Sequence, residues 1–91
     1  MPYSGGIPLA EHVPPPPSLP GFPGVWQIRS KTRVAGAGLR RRWTDGKRLY
    51  EWDSQHGTVE AYNLRGEHQG EFDPRTGKIL NGPDRTRTVE P

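Results

Sequence analysis

The chain has 91 residues, of which 13 are basic and 10 acidic, and its formal net charge is +3. This length suits one small domain with a limited hydrophobic core. Cysteine is absent, which excludes disulfide bonds, thiolate nucleophiles and cysteine ligands to zinc. No apolar run approaches the roughly 20 residues of a membrane helix, and the N-terminus does not read as a signal peptide. We therefore expect no membrane segment in this chain, and we also expect a monomer.

Positive charge is concentrated in one block of the sequence. Residues 29–48 carry a net charge of +7, whereas residues 1–28 carry −1 and residues 49–91 carry −3. A basic block of this kind suits a polyanion, most simply a nucleic acid. A solvated basic linker would have the same composition, so the charge alone does not decide between the two.

The N-terminal part is rich in proline, with eight of the 11 prolines in the first 23 residues. Proline favours extended polyproline II backbone. We therefore predict a partly basic, extended linker or arm over residues 1–38 and a folded domain over residues 39–91. Its composition favours a spacer over a ligand for a proline-recognising module. Residues 21–28 are candidates for docking on the domain, because free linkers rarely contain such apolar residues as Phe22, Val25, Trp26 and Ile28.

From Leu39 onward, short alternating runs are separated by turn signals. Asp45-Gly46 is a strong two-residue hairpin signal, and His56-Gly57 is a weaker one. Arg65-Gly66 and the segment 73–77 are two further turn candidates. The predicted strands cover residues 39–44, 47–54, 58–64, 67–72 and 78–80, with a possible sixth near 85–89. No helical period is present, so the predicted fold class is mainly β, a small antiparallel meander of about five to six strands.

Strand side chains alternate between the two faces of a sheet. With turns at 45–46 and 56–57, one face becomes a candidate core. This face also contains Arg41, which would have to extend out to solvent, and His68, which would be structural or at an edge. The apolar members of this face are Leu39, Trp43, Tyr50, Trp52, Val59, Ala61 and Phe72. The other face, expected to be exposed, collects Arg40, Arg42, Asp53, Glu60 and Tyr62. A second turn at Ser54-Gln55 would leave this partition unchanged.

Asp53, His56 and Glu60 are the candidate catalytic residues. A turn at His56-Gly57 would place Asp53 across from Glu60 with His56 beside them, whereas a turn at 54–55 would place Asp53 across from His56. Metal-free cleavage of RNA requires one group that takes the proton of the ribose 2′-hydroxyl and another that protonates the leaving oxygen. Carboxylates and a histidine near a hairpin tip are also common on solvated surfaces. The histidines show no metal-ligand spacing, so we predict no metal and no cofactor.

The basic residues before and after the first hairpin turn are the candidate phosphate-binding groups, and Tyr62 could stack on a base. The basic candidates are Arg40, Arg41, Arg42, Lys47 and Arg48. An aromatic residue on a small sheet more often serves packing, so both readings of Tyr62 stay open.

Five segments together resemble a known family. They are residues 40–44 (Arg-Arg-Arg-Trp-Thr), 50–57 (Tyr-Glu-Trp-Asp-Ser-Gln-His-Gly), 60–62 (Glu60 and Tyr62), 72–77 (Phe-Asp-Pro-Arg-Thr-Gly) and 82–84 (Gly-Pro-Asp). This pattern is similar to the C-terminal cytotoxic domain of the ribosome-inactivating E-group colicins and of related S-type pyocins and contact-dependent inhibition toxins. The resemblance runs from about Leu39 to Arg87. It departs in a turn at 64–67 that is one residue shorter and in residues 1–38, which do not match.

The resemblance implies a strongly twisted antiparallel sheet and an endonuclease that cuts small-subunit ribosomal RNA at the decoding site. It implies catalytic roles for Asp53, His56, Glu60 and a C-terminal arginine, which falls on Arg87, with Arg85 as the alternative and a further RNA-binding candidate. It also implies an acidic immunity protein as a partner besides the ribosome, and a larger toxin, secreted by the producing bacterium, that acts in the target-cell cytoplasm.

Two rival interpretations remain open from the sequence. A non-catalytic basic β-domain could bind RNA or a protein through its polar face. A ribonuclease could also act on tRNA or mRNA instead of the ribosome.

Overall fold

The computed structural model describes residues 12–36 and 38–91; residue 37 and residues 1–11, the first part of the predicted arm, lie outside the described residues. The described part of the chain forms β-strands and no helix, so it contains no helix that could cross a membrane. The strands are β1 (Trp26–Ile28), β2 (Arg33–Val34), β3 (Gly38–Leu39), β4 (Arg42–Thr44), β5 (Arg48–Asp53), β6 (Thr58–Asn63), β7 (His68–Phe72) and β8 (Ile79–Asn81).

Six strands form one antiparallel sheet in the order β1-β4-β5-β6-β7-β8, and β2 pairs with β3 in a separate two-stranded sheet. Strands β4 to β8 are a meander, since each pairs with its neighbour in the chain. The predicted mainly-β antiparallel fold is thus confirmed. The sixth strand is β1, which pairs with β4, whereas the predicted strand near 85–89 contributes only an isolated bridge between Glu67 and Thr88.

The two hairpin turns beside β5 are longer than predicted. Thr44 pairs with Leu49, and Asp53 pairs with Thr58, so neither turn has only two residues between the paired positions. The prediction of two-residue turns was therefore wrong. Each register differs from its predicted one by an even number of residues, and an even shift leaves every side chain on the same face of the sheet. The predicted partition of β4, β5 and β6 into two faces survives for this reason.

The core lies on the face that the alternation predicted. It consists of Leu19, Trp43, Tyr50, Trp52, Val59, Ala61 and Phe72, with Phe22 and Val25 packed against it. The prediction is confirmed for the six residues of the main sheet but wrong for Leu39, which lies in β3 and is 51% exposed. Leu19 of the proline-rich segment, which is only 2% exposed, completes the core instead.

The proline-rich segment lies against this core face, with bends and turns within residues 17–24, and is tied to it by hydrogen bonds. The Trp52 indole donates to the carbonyl of Val13 at 2.7 Å, and the Val13 amide donates to the carbonyl of Ser54 at 2.7 Å. Arg41, which was expected to extend out of the core face, donates to the carbonyl of Pro16 at 3.3 Å. The expected docking of residues 21–28 is confirmed by the packing of Phe22 and Val25 and by β1. The division of the chain at residue 38 stays a prediction.

The opposite, polar face is covered rather than solvated. The C-terminal segment passes over it, and the Val89 amide donates to the carbonyl of Gly66 at 2.8 Å. Arg42 and Tyr62, which were expected on an exposed face, are each 0% exposed. That expectation was wrong because strand alternation assigns a side chain to a face but does not reveal which other segment covers it.

A β-bulge between β6 and β7 changes the position of His68. Val59, Glu60 and Ala61 pair in one register with β7, but Tyr62 then pairs with His68, one residue out of step. The one-residue shift moves His68 onto the polar face, so its predicted place on the core side was wrong. Gly70 lies in this irregular stretch with a φ of +142°, a backbone angle that favours glycine.

Candidate active site

Asp53 lies at the end of β5 and organises the turn that follows. One oxygen, Oδ1, accepts the backbone N–H groups of Gln55 and His56 at 3.0 and 3.2 Å. The other, Oδ2, lies 2.9 Å from Nδ1 of His56. Asp53 is buried, whereas the His56 side chain is 57% exposed. The carboxylate therefore fixes the imidazole at its Nδ1 side and leaves Nε2 on the solvent-accessible side of the ring.

Glu60 is a buried carboxylate on β6, diagonally across from Asp53. Its Oε1 atom lies 2.7 Å from Nε2 of His68 and 3.4 Å from Nη1 of Arg87. Neither predicted register for this hairpin is correct, because Asp53 pairs with Thr58. The observed register lies between the two predicted ones, and it still brings Asp53, His56 and Glu60 close together. Single ligand-type atoms of Asp53, His56, Glu60 and Glu71 all lie within 4.8 Å of one another.

Glu71, on β7, is a member of this cluster that the sequence analysis missed. It pairs directly with Glu60 across the strands. Its Oε2 atom accepts the Thr58 hydroxyl at 2.6 Å and lies 3.8 Å from Nδ1 of His56, while Oε1 accepts the Asn81 amide at 2.6 Å. Strand alternation could have predicted this position, because Glu71 immediately precedes the core residue Phe72 and must therefore face the polar side.

Of the two C-terminal arginines, Arg87 reaches the cluster and Arg85 does not. Besides its contact with Glu60, the Arg87 guanidinium carbon lies 5.9 Å from the centre of the Tyr62 ring. Arg85 is exposed and lines a surface cavity together with Gln69 and Thr88. The structure thus brings together Asp53, His56, Glu60 and Arg87 of the predicted catalytic set.

Neighbouring groups move the pKa values within the cluster in different directions. The hydrogen bond and the charge of Asp53, with the charges of Glu71 and Glu60, raise the pKa of His56. Burial and the proximity of Asp53 raise the pKa of Glu60 in spite of its contacts with His68 and Arg87. Burial opposes ionisation of Asp53, but its contacts with His56 and Glu60 outweigh this effect and lower the pKa of Asp53. Groups with diverging pKa values can divide the roles of acid and base.

The predicted RNA-binding residues divide by accessibility. Lys47 and Arg85 are exposed, and Arg40, Arg41 and Arg48 are half-buried. Arg42 and Tyr62 are fully buried, so neither can contact a phosphate or stack on a base in this conformation. The predicted basic side chains that remain accessible are Arg41, Lys47, Arg48 and Arg85, whereas Nε and Nη1 of Arg40 are buried.

The cluster of Asp53, His56, Glu60 and Glu71 contains atoms that could bind a metal ion, whereas the sequence analysis predicted no metal. Carboxylates and imidazole are groups that can bind divalent cations, and three strands and one turn bring such atoms together. Linear spacing alone could not reveal this grouping. The same oxygen and nitrogen atoms are engaged by Thr58, Asn81 and one another, and we assign no metal to them. The absence of a metal stays a prediction that chelation can test.

Comparison with known proteins identifies the class. The family model described as Cytotoxic matches residues 13–90, so the chain belongs to this family of cytotoxic domains. Relatives in Escherichia coli include colicin E3, 52% identical over 58 residues that cover 60% of this chain and 10% of the colicin. Cloacin is 42% identical and colicin-E6 40% identical, each over 83 residues that cover 84% of this chain and 15% of the relative. The resemblance to the E-group colicins is thus confirmed, and the chain spans only a small part of these relatives' length.

Proposed function

We propose that this chain is the ribonuclease domain of a bacteriocin-type toxin and cuts small-subunit ribosomal RNA at the decoding site without a metal. The observation that supports this most directly is the convergence of Asp53, His56, Glu60 and Arg87 on the polar face of β5 and β6. A buried carboxylate, an accessible imidazole and a guanidinium are the groups that transfer of the 2′-hydroxyl proton and attack on the phosphate require.

Glu60 accepts the proton of the ribose 2′-hydroxyl, and the resulting oxygen attacks the adjacent phosphorus. His56 donates a proton from Nε2 to the departing 5′-oxygen as the P–O bond breaks. Arg87 offsets the additional negative charge on the phosphate oxygens. The products are a 2′,3′-cyclic phosphate and a free 5′-hydroxyl, so DNA, which has no 2′-hydroxyl, is not a substrate. Each acid or base of this kind contributes about 10²–10⁴-fold to the rate.

The geometry favours this assignment of roles over the reverse one, which the sequence leaves open. The bond from Asp53 to Nδ1 stabilises charged imidazole, and its raised pKa keeps His56 in the proton-donating form. Glu60 is buried with a raised pKa, which makes its carboxylate a better proton acceptor than a solvated one.

The proposed partners follow from the family. The target is the small ribosomal subunit and its RNA, and an acidic immunity protein protects the producing cell. The domain acts as a monomer in the target-cell cytoplasm after secretion as part of a larger toxin. The accessible arginines and Lys47 provide the attraction to phosphate.

Incubation of the purified protein with ribosomes in EDTA tests the proposal. Wild-type protein should make one discrete cut in the small-subunit rRNA, with a 2′,3′-cyclic phosphate at the 3′ end of the upstream fragment and a 5′-hydroxyl on the downstream fragment. His56→Ala and Glu60→Ala should leave the rRNA intact while they remain folded. Intact rRNA with wild-type protein would favour the non-catalytic binder. Cleavage confined to tRNA or mRNA would favour the alternative substrates, and cleavage that needs added Mg²⁺ would refute metal independence.

A further inference from the structure

His68 is a buried titratable group that the proposed mechanism does not use, although it touches the proposed base. We propose that His68 is a positioning residue that holds the Glu60 carboxylate in its proton-accepting orientation, through a ring tautomer set by the backbone of Asp84. This inference rests on the proposed function of Glu60 and concerns how that residue is held.

The two ring nitrogens of His68 have different partners. The backbone N–H of Asp84 points at Nδ1 at a distance of 2.8 Å. A backbone amide can only donate, so Nδ1 must present its lone pair and the ring proton must reside on Nε2. That proton is directed at Oε1 of Glu60, 2.7 Å away. The Asp84 amide thus dictates that His68 donates to Glu60 and does not accept from it.

The contact at Oε1 determines which oxygen of Glu60 can take a proton. His68 and Arg87 both present donors to Oε1, at 2.7 and 3.4 Å. Both contacts favour the ionised carboxylate and engage Oε1, so we assign acceptance of the 2′-hydroxyl proton to Oε2. The His68 and Glu60 side chains are each 4% exposed, so water does not compete for this bond.

His68 also couples the base to the segment that carries Arg87. Its backbone N–H donates to the carbonyl of Arg87 at 3.2 Å, and its ring meets Tyr62 edge-on with a centroid distance of 5.3 Å. The β-bulge at Ala61/Tyr62 creates this arrangement, because a regular ladder would place His68 on the core face. One residue therefore links β6, β7 and the C-terminal segment around Glu60.

Three substitutions separate the two hydrogen bonds of the ring. In His68→Gln the amide nitrogen can occupy the place of Nε2 and donate to Glu60, whereas in His68→Asn the side-chain oxygen can occupy the place of Nδ1 and accept from Asp84. His68→Ala removes both. We expect a kcat about 10²-fold lower with little change in KM for His68→Asn and His68→Ala, and substantial retention of kcat for His68→Gln.

The pH dependence of kcat distinguishes a positioning role of His68 from a purely structural one, because a structural role would leave the acid limb at the same pH. The charged and titratable groups around Glu60 are Asp53 from β5, His56 from the turn, His68 and Glu71 from β7, and Arg87 from the C-terminal segment. Loss of the donor from His68 raises the pKa of Glu60, so the acid limb of kcat should move to higher pH in His68→Asn but not in His68→Gln. Thermal unfolding and RNA binding of each variant control for loss of fold.

Wild-type kcat and an unmoved acid limb in folded His68→Asn would overturn the proposal, as would equal losses in the Asn and Gln variants. Nitrogen-15 NMR of the wild-type imidazole tests the tautomer without any activity. A proton on Nε2 and none on Nδ1 supports the proposal, and a proton on Nδ1 overturns it. Failure of wild-type protein to cut RNA would refute the proposed function instead, and the NMR result would still report on the contact.

Discussion

Arg42 and Glu51 face each other across β4 and β5 as a fully buried ion pair, with Nη2 of the arginine 2.6 Å from Oε2 of the glutamate. Nε donates to the same oxygen at 2.9 Å, and the Thr32 hydroxyl donates to it at 2.6 Å. Nη1 of Arg42 lies 3.3 Å from the carbonyl oxygen of Pro91. The pair therefore joins the sheet to the segment before β2 and to the C-terminal segment, which indicates a structural role for Arg42.

Arg42→Ala should lower the free energy of unfolding by about 3–5 kcal/mol, because it leaves the charge of Glu51 buried without its partner. Arg65→Ala is the matched control, since Arg65 pairs with Glu67 at the surface at 3.1 Å and surface pairs contribute about 0–1 kcal/mol. Urea denaturation of both variants measures the difference. Wild-type stability of Arg42→Ala combined with weakened RNA binding would show that Arg42 contacts phosphate after all.

The accessible basic residues should act differently, through phosphate contacts that depend on salt. Replacing Lys47 with Gln should weaken RNA binding without loss of stability and reduce the slope of log K against log salt by about 1. Lys78→Gln is a control of equal charge on an exposed lysine outside the basic block. Binding to the target RNA at several salt concentrations gives the slope, and a loss that is independent of salt would contradict a phosphate contact.

Strand alternation predicted much of the fold because it is a local property that errors in turn length did not disturb. Both hairpin registers around β5 differ from expectation by an even number of residues, so Trp43, Tyr50 and Trp52 still share the core face. Asp53 and Glu60 remain on one face for the same reason. A candidate catalytic pair could thus be identified although neither predicted register was correct.

Features that depend on distant segments could not be predicted in this way. Leu19 enters the core because the proline-rich segment folds back over the sheet, which no local period indicates. Arg42 is buried by contacts with residues far away in the sequence. His68 joins the site because a single inserted residue in β7 moves its side chain from the core face to the polar face of the sheet. Irregular pairing and long-range covering are set by tertiary packing, and the sequence pattern of one strand does not contain them.

Cleavage should have a bell-shaped pH dependence. As the pH falls through the raised pKa of Glu60, the base becomes protonated, and as the pH rises through the raised pKa of His56, the acid loses its proton. The charge of Glu71 contributes to the raised pKa of His56, so Glu71→Gln should move the basic limb to lower pH. Single-turnover cleavage measured across the pH range tests this shift.

Glu67→Gln is the control for that variant, because the exposed Glu67 carboxylate bonds to Asn63 and Arg65 and not to the cluster. It should leave both limbs in place. An unchanged basic limb in Glu71→Gln would mean that His56 is not the group that titrates there.

The proline-rich segment should stabilise the domain through Leu19. Leu19→Ala should lower the free energy of unfolding by about 2–5 kcal/mol, the usual range for truncation of a buried leucine. Leu64→Ala is the matched control, because Leu64 is exposed and its truncation should change stability by about 0.5 kcal/mol or less. Equal unfolding midpoints for the two variants would show that the segment does not pack on the sheet in solution.

Arg87 and Arg85 offer the sharpest test of the proposed site, because they lie two residues apart and differ in what they reach. Arg87→Ala should lower kcat by about 10²–10³-fold, as removal of one group that stabilises transition-state charge does elsewhere. Arg85→Ala should leave kcat unchanged and weaken RNA binding, with a smaller salt slope. Arg87→Lys should recover part of the rate, since it restores the charge without the planar guanidinium. Single-turnover kinetics at saturating enzyme separates the two effects, and a loss of kcat confined to Arg85→Ala would transfer the catalytic role to that residue.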